Sequence, residues 1–235
     1  MNAEATVYGS ERHLLRYLGR HRAELDRRVL EVTGGEAIDW LDFPFEPSRA
    51  WLDGEWKGLD FLPAGHPGRI AWSSAWPARG NAPNWDAVAR LRTAGGEEWL
   101  LVEAKAHLGE LASHCAADAE KGGRRRIADL MAHVREALGA APDRDWLGGY
   151  YQMANRLAVL HVLEAAGVPA RLLFIYFTGD ANPRGVCPAD AAGWADALAA
   201  QDRHLGLRPD HSLAGRVHRL FLEVAPVASP ARAVA

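Results

Sequence analysis

The sequence predicts an α/β domain, a mixed β-sheet with helices on both sides. Three observations predict it. An apolar stripe at helical spacing opens the chain, two neighbouring segments read as a hairpin, and a continuous apolar run, Leu172 to Phe177, follows a further helix. An uninterrupted run of that length suits a central strand buried on both faces. The order helix, strands, helix, strand is that of an α/β layer structure.

Each element has a local reason. Ser10 caps a helix predicted to run to about Val32, where Gly34 and Gly35 stop it. Leu14, Leu15, Leu18, Leu25 and Val29 form its stripe. Residues 37–83 are rich in Trp, Pro and Gly and read as irregular structure with one or two strands. Asp86 to Arg92 is a predicted strand, Thr93 to Gly96 a turn, and Glu98 to Ala106 a second strand. Helices are expected over about Leu111–Leu138, with a break at Gly122-Gly123, over Trp146–Ala166 and over Ala191–Gln201, with a last strand over Val217–Val224.

Of the 235 residues, 49% are hydrophobic and 24% charged, the profile of a folded globular chain. Residues 1–224 are expected to form one domain and 225–235 a frayed tail. No apolar stretch reaches membrane-spanning length, and the first twelve residues carry no secretory pattern. Two isolated cysteines, Cys115 and Cys187, argue against a disulfide framework and for a cytoplasmic setting. The sequence contains no H-E-x-x-H, G-x-G-x-x-G, Walker or G-x-S-x-G pattern, which removes the common zincin, dinucleotide, P-loop and hydrolase readings.

The net charge of -3 does not advertise a nucleic-acid binder, but two basic runs do so locally. Arg12, Arg16, Arg20, Arg22, Arg27 and Arg28 lie on the first helix. Lys121, Arg124, Arg125 and Arg126 form the second run. Each also fits an ordinary solvated helix face. Most of the nine tryptophans are expected to pack the interior, with Trp72 and Trp76 as candidates for stacking on bases.

The chemistry concentrates on the hairpin. Its second strand reads Trp99-Leu100-Leu101-Val102-Glu103-Ala104-Lys105, so Glu103 and Lys105 share one face. With Thr93 to Gly96 as the loop, Arg92 pairs with Glu97, and counting back places Asp86 opposite Glu103. Carboxylates so close repel unless a proton or cation lies between them. Mg²⁺ (or Mn²⁺) resolves the conflict, because it accepts one or two protein carboxylates and keeps waters and substrate phosphate as its other ligands. Lys105 is placed to orient or help deprotonate an attacking water and to offset charge on phosphorus.

Asp86, followed after sixteen residues by Glu103-Ala104-Lys105 at a hairpin, resembles the PD-(D/E)XK nuclease superfamily. The resemblance covers about Ser10 to Phe177 by order of elements. It implies a restriction endonuclease-like core and metal-dependent hydrolysis of phosphodiester bonds, with DNA as the expected partner. Trp85 precedes the aspartate where the family prefers proline. Asp60, in Gly58-Leu59-Asp60-Phe61, is an alternative catalytic aspartate with the look of a resolvase Gly-x-Asp. An acidic residue on the first helix often reaches the metal in this family. Leu15, Leu18, Leu25 and Val29 fall within about 40° of Glu11 at helical spacing, which makes Glu11 a candidate ligand. On the helix before the buried strand, Gln152, Asn155 and Arg156 form a polar strip. In exonuclease branches a Gln in such a place faces the site with Tyr four residues on, which points to Gln152. Here Arg156 holds the fourth place. Arg156 and Arg124 to Arg126 are the candidates for binding the nucleic-acid backbone. The alternative is a nuclease-fold module that binds nucleic acid or a partner without cleaving it.

Overall fold

The structure, a computed structural model, describes residues 9–43, 55–78, 81–118, 123–181 and 185–224. The expected frayed tail and Lys121 of the second basic run lie outside these residues.

The first helix is two helices. α1 (Ser10–Arg20) and α2 (Arg22–Thr33) meet at His21, whose φ of -126° and ψ of 32° leave the helical region. Left-handed Gly34 then terminates α2 as expected. Strand β1 (Ala37–Trp40) follows. Beyond the short strand β2 (Trp56–Lys57) lies α3 (Pro67–Ala75), a helix in a stretch expected to be irregular. Its start is nevertheless written locally: Pro67 occupies the first turn, and His66 Nδ1 accepts the Gly68 N–H at 3.2 Å.

Strands β3 (Asn84–Trp85), β4 (Ala87–Thr93) and β5 (Gly96–Lys105) carry the hairpin. The loop is shorter than expected, because Thr93 already pairs with Gly96, yet Arg92 still faces Glu97. The ladder continues to Ala87 opposite Val102, so the predicted register holds. The chain bends at Asp86, and Trp85 crosses to a separate two-stranded sheet with Trp56. Helix α4 (Gly123–Ala137) begins well after Leu111, and α5 spans Tyr151–Ala165. β6 (Ala170–Thr178), α6 (Ala192–Leu205) and β7 (Val217–Glu223) complete the described elements.

The main sheet has the order β1-β4-β5-β6-β7. β4 runs antiparallel to both of its neighbours, β1 and β5, while β5, β6 and β7 are mutually parallel, so the sheet is mixed and β5 is its central strand. Side chains alternate across it. Leu100, Val102 and Ala104 of β5 pack with Leu173, Ile175 and Phe177 of β6 beneath Leu14, Tyr17, Leu25 and Val29 of α1 and α2. On the opposite face Leu101 joins Leu172, Phe174 and Tyr176 in a larger core, closed by residues of α3, α4, α5 and α6. Glu103 and Lys105 continue the Leu101 side of β5, so they lie under α5. No described helix is long and apolar enough to cross a membrane.

Candidate active site

Asp86 sits where the β4–β5 ladder stops. Its backbone N–H donates to the Val102 carbonyl at 3.1 Å. Its side chain then takes over from the missing strand: Oδ2 accepts the Ala104 N–H at 2.6 Å. A bend in the strand thus fixes the carboxyl beside Glu103, and both residues line one open cleft of about 360 Å³.

Glu103 is almost completely enclosed, and cations hold both of its oxygens. Lys105 Nζ donates to Oε1 at 2.5 Å. Arg156 donates to Oε2 from Nε at 3.0 Å and from Nη2 at 2.6 Å, and the Glu103 and Arg156 side chains are only 5% and 4% exposed. A buried carboxylate needs such partners to remain charged. Burial alone would push Glu103 up, but the Arg156 and Lys105 charges and their hydrogen bonds outweigh it and hold the carboxyl below the usual range. Lys105 also donates to Gln152 Oε1 at 2.7 Å. Gln152 is positioned in turn by Ser113, whose Oγ accepts the Gln152 N–H at 2.8 Å.

Asp86 has the opposite electrostatics. Burial first, and then the neighbouring Glu103 charge, push its carboxyl from 3.8 up to about 8, with the Ala104 N–H only partly offsetting them. The folded chain therefore retains a proton that the unfolded chain releases near pH 4. This contribution to stability is complete below the unfolded value and is lost as pH rises through about 8. Asp86→Asn keeps an oxygen for Ala104 and removes the titration. It should make the pH dependence of the melting temperature flatter and raise stability at pH 9 by roughly 2–4 kcal/mol over wild type. Calorimetric melts at pH 5 and pH 9 read this, and identical profiles for the two proteins would refute the assignment.

The structure thus brings Asp86, Glu103, Lys105 and Gln152 together. Asp60 is elsewhere: it is exposed and paired with Arg69 at 2.7 Å. The glycine before its turn, Gly58, has φ 52° and packs so close to Trp72 that a Cβ would lie 3.1 Å from Nε1, so Gly58-Leu59-Asp60 serves the fold. Glu11 is also misplaced by the sequence. It is exposed on α1, which covers the other sheet face. The break at His21 resets the helical phase, so Leu25 and Val29 do not predict which side of α1 is buried. That side is His13, Leu14 and Tyr17, while Leu15 is exposed.

Arg156 is buried as the counter-ion of Glu103 and also lines the cleft, so its guanidinium is engaged inside the site rather than free on the surface. Its guanidinium lies 4.8 Å over the Trp85 ring, and it also donates to the Asn84 carbonyl at 2.5 Å and to Asn155 Oδ1 at 2.7 Å. Trp85 is itself fixed by donating from Nε1 to the Gly58 carbonyl at 2.7 Å. Arg124 donates to the Cys115 carbonyl at 3.1 Å, and Arg126 to the Ser74 carbonyl. Arg125 and Arg126 remain on the exposed face of α4. Trp72 and Trp76 are buried and stacked on each other, with centroids 4.7 Å apart, and Trp76 also lines the cleft.

One acidic residue of the cleft was not foreseen. Glu55 lines it, accepts from Asn84 Nδ2 at 2.8 Å and adds to the field that raises Asp86. No spacing rule points to it, because β2 and β3 bring it across from a distant part of the chain. Two hard oxygen donors, Asp86 and Glu103, meet at an open cleft, a set that suits Mg²⁺ or Mn²⁺ with waters retained. Among the described residues no group of three or more His, Cys, Asp or Glu side chains is arranged to hold a metal ion. A larger cleft of about 610 Å³ lies by α6 and β7, away from all of these residues. Two of its arginines are paired, Arg219 with Asp202 at 2.6 Å and Arg208 with Asp210 at 2.9 Å. Neither a family model, nor a curated protein, nor a solved structure matches the chain.

Proposed function

We propose that this protein is a metal-dependent nuclease with a restriction endonuclease-like core, acting on nucleic acid and most naturally on DNA. The observation that carries the reading is the meeting of Asp86, Glu103 and Gln152 on one cleft, with the Lys105 ammonium behind them bridging Glu103 and Gln152. A strand end bearing two acids and a buried cation has no packing purpose that apolar residues would not serve better.

Asp86 and Glu103 would hold the metal. When bound, Mg²⁺ or Mn²⁺ supplies a polarised phosphoryl oxygen and a water of lowered pKa. Asp86, which holds a proton near neutrality, would release it to solvent in order to hold the metal. Lys105, held on Gln152, orients the attacking water and offsets negative charge on phosphorus. The water oxygen would bond to phosphorus as the bond to one ester oxygen breaks; the water gives up a proton to solvent, and the leaving oxygen takes one from solvent. Arg156 takes no part in these steps and keeps Glu103 ionised and aimed.

Titration of the full chain with Mg²⁺ or Mn²⁺ tests the reading. Metal should raise the melting temperature, and its affinity should climb up to about tenfold per pH unit below pH 8 as Asp86 loses its proton. Asp86→Asn should abolish the rise. A plasmid or oligonucleotide should be cut only with metal present. The second reading, a nuclease-fold binding module, draws on the same cluster: Lys105 and Arg156 already neutralise Glu103 without a metal. Nucleic-acid binding with neither metal affinity nor cleavage would establish it.

A further inference from the structure

We propose that the cleft beside Asp86 and Glu103 accepts a single unpaired nucleotide, so that the protein acts on single strands and frayed or overhanging ends in preference to intact duplex. The inference rests on the nuclease reading and adds its substrate class.

The first argument is depth. Glu103 is buried, Asp86 is partly so, and both line the cleft, hence a phosphate reaches them only by entering it. At about 360 Å³ the cleft has room for one small polar ligand; clefts for small molecules span roughly 300–1,000 Å³. In a duplex each phosphate is tied to a base that is paired and stacked in the helix interior. Enzymes with recessed sites take such a nucleotide out of the stack or choose strands in which it is already free.

The walls supply the second argument. Tyr151, partly exposed, gives the cleft aromatic surface, and Trp76, buried against Trp72, lies in its wall. Stacking on such surface contributes about 1–3 kcal/mol per base and tolerates any sequence. The amide groups have their orientation set by their neighbours. Lys105 has only donors, so Gln152 turns its oxygen to the ammonium and keeps its NH₂ as a donor. Asn84 spends an N–H on Glu55 and retains its carbonyl oxygen as an acceptor. Donor and acceptor thus face the same space, as the edge of a base requires. Glu55 adds a negative charge to the wall, which disfavours a second phosphate there and favours a neutral base with amino hydrogens.

The test compares a single-stranded DNA oligonucleotide with the duplex of the same sequence, using the full chain and Mg²⁺. It is paired with a binding measurement in EDTA that does not need cleavage. There, intrinsic fluorescence follows a nucleoside 5′-monophosphate against inorganic phosphate at equal concentration. We expect the single strand to be cut at least about tenfold faster than the duplex. We also expect the nucleotide, and not phosphate, to change the fluorescence. Trp76→Phe should reduce that signal, and Asn81→Ala, at an exposed cleft residue, should weaken nucleotide binding severalfold without a folding risk. Equal cutting of single strand and duplex overturns the proposal and leaves the nuclease reading standing, as does cleavage with no preference for nucleotide over phosphate. Nucleotide binding weakened by Asn81→Ala, with no cleavage of either strand, supports the nucleotide cleft and removes the nuclease reading. Neither binding nor cleavage overturns both.

Discussion

Arg156→Met should lower the stability of this protein by about 3–5 kcal/mol, the loss expected when one partner of a buried ion pair is removed. In a chain of this size that is a fall of roughly 6–20 °C in melting temperature. Met fills much of the volume, so the loss comes from the charge left behind on Glu103, which then keeps Lys105 at 2.5 Å as its cationic partner. The deficit should depend on pH in a specific direction. Glu103 is held below its usual range, so its contribution is present at neutral pH and is lost as pH falls through the folded value. The gap between wild type and variant should therefore be widest near pH 7 and close in acid. Combining Arg156→Met with Glu103→Gln should cost less than the two changes added together. Chemical denaturation at pH 7 and pH 4 checks both points, and a variant within about 1 kcal/mol of wild type at pH 7 would contradict the role given to Arg156.

Lys105→Ala should reduce cleavage by about 10²–10⁴-fold, the range for a group that handles protons or charge in the transition state. The same change should leave metal affinity unchanged or raise it, because the ammonium beside Glu103 competes with any other cation for that carboxylate. A variant that merely misfolds would lose both. Lys105→Arg should not restore cleavage: a guanidinium does not give up its proton, and its planar fork does not fit between Glu103 and Gln152 as an ammonium does. Single-turnover cleavage and calorimetric metal titration read the two quantities separately. Wild-type activity in Lys105→Ala would remove Lys105 from the mechanism.

The legible part of this site was the part that depends on period and register. Strand alternation put Glu103 and Lys105 on one face, and pairing of Arg92 with Glu97 put Asp86 beside them. Both follow from local geometry and survive a loop two residues shorter than expected. The illegible part depended on long-range packing. His21 interrupts the first helix without a proline or glycine at the break, so Leu25 and Val29, two of the four residues that place Glu11, lie beyond the interruption, and a third, Leu15, is exposed. Arg156 was visible as a polar residue at helical spacing from Gln152. That it is buried follows from α5 being covered on nearly every side, which a polar strip does not reveal. The two departures from the nuclease-like pattern, Trp85 for proline and Arg156 for tyrosine, are separated by 70 residues in sequence and touch in space. Each looks like an isolated deviation until the other is placed beside it.

The two-residue turn between β4 and β5 bears on the order in which the molecule assembles. A hairpin closed by so few residues forms in microseconds, whereas the parallel partner of β5 arrives only after the chain from 106 to 169 has been traversed. Contacts of that separation are slow to form. During the interval Asp86 and Glu103 are already side by side on the hairpin while Arg156, carried by α5, is absent. Water must solvate them until α5 docks, so the charged end of the hairpin should remain frayed while the Arg92–Glu97 end is ordered. The last step of folding and the completion of the acidic site would then be one event, and substitutions at Arg156 should speed unfolding far more than they slow folding.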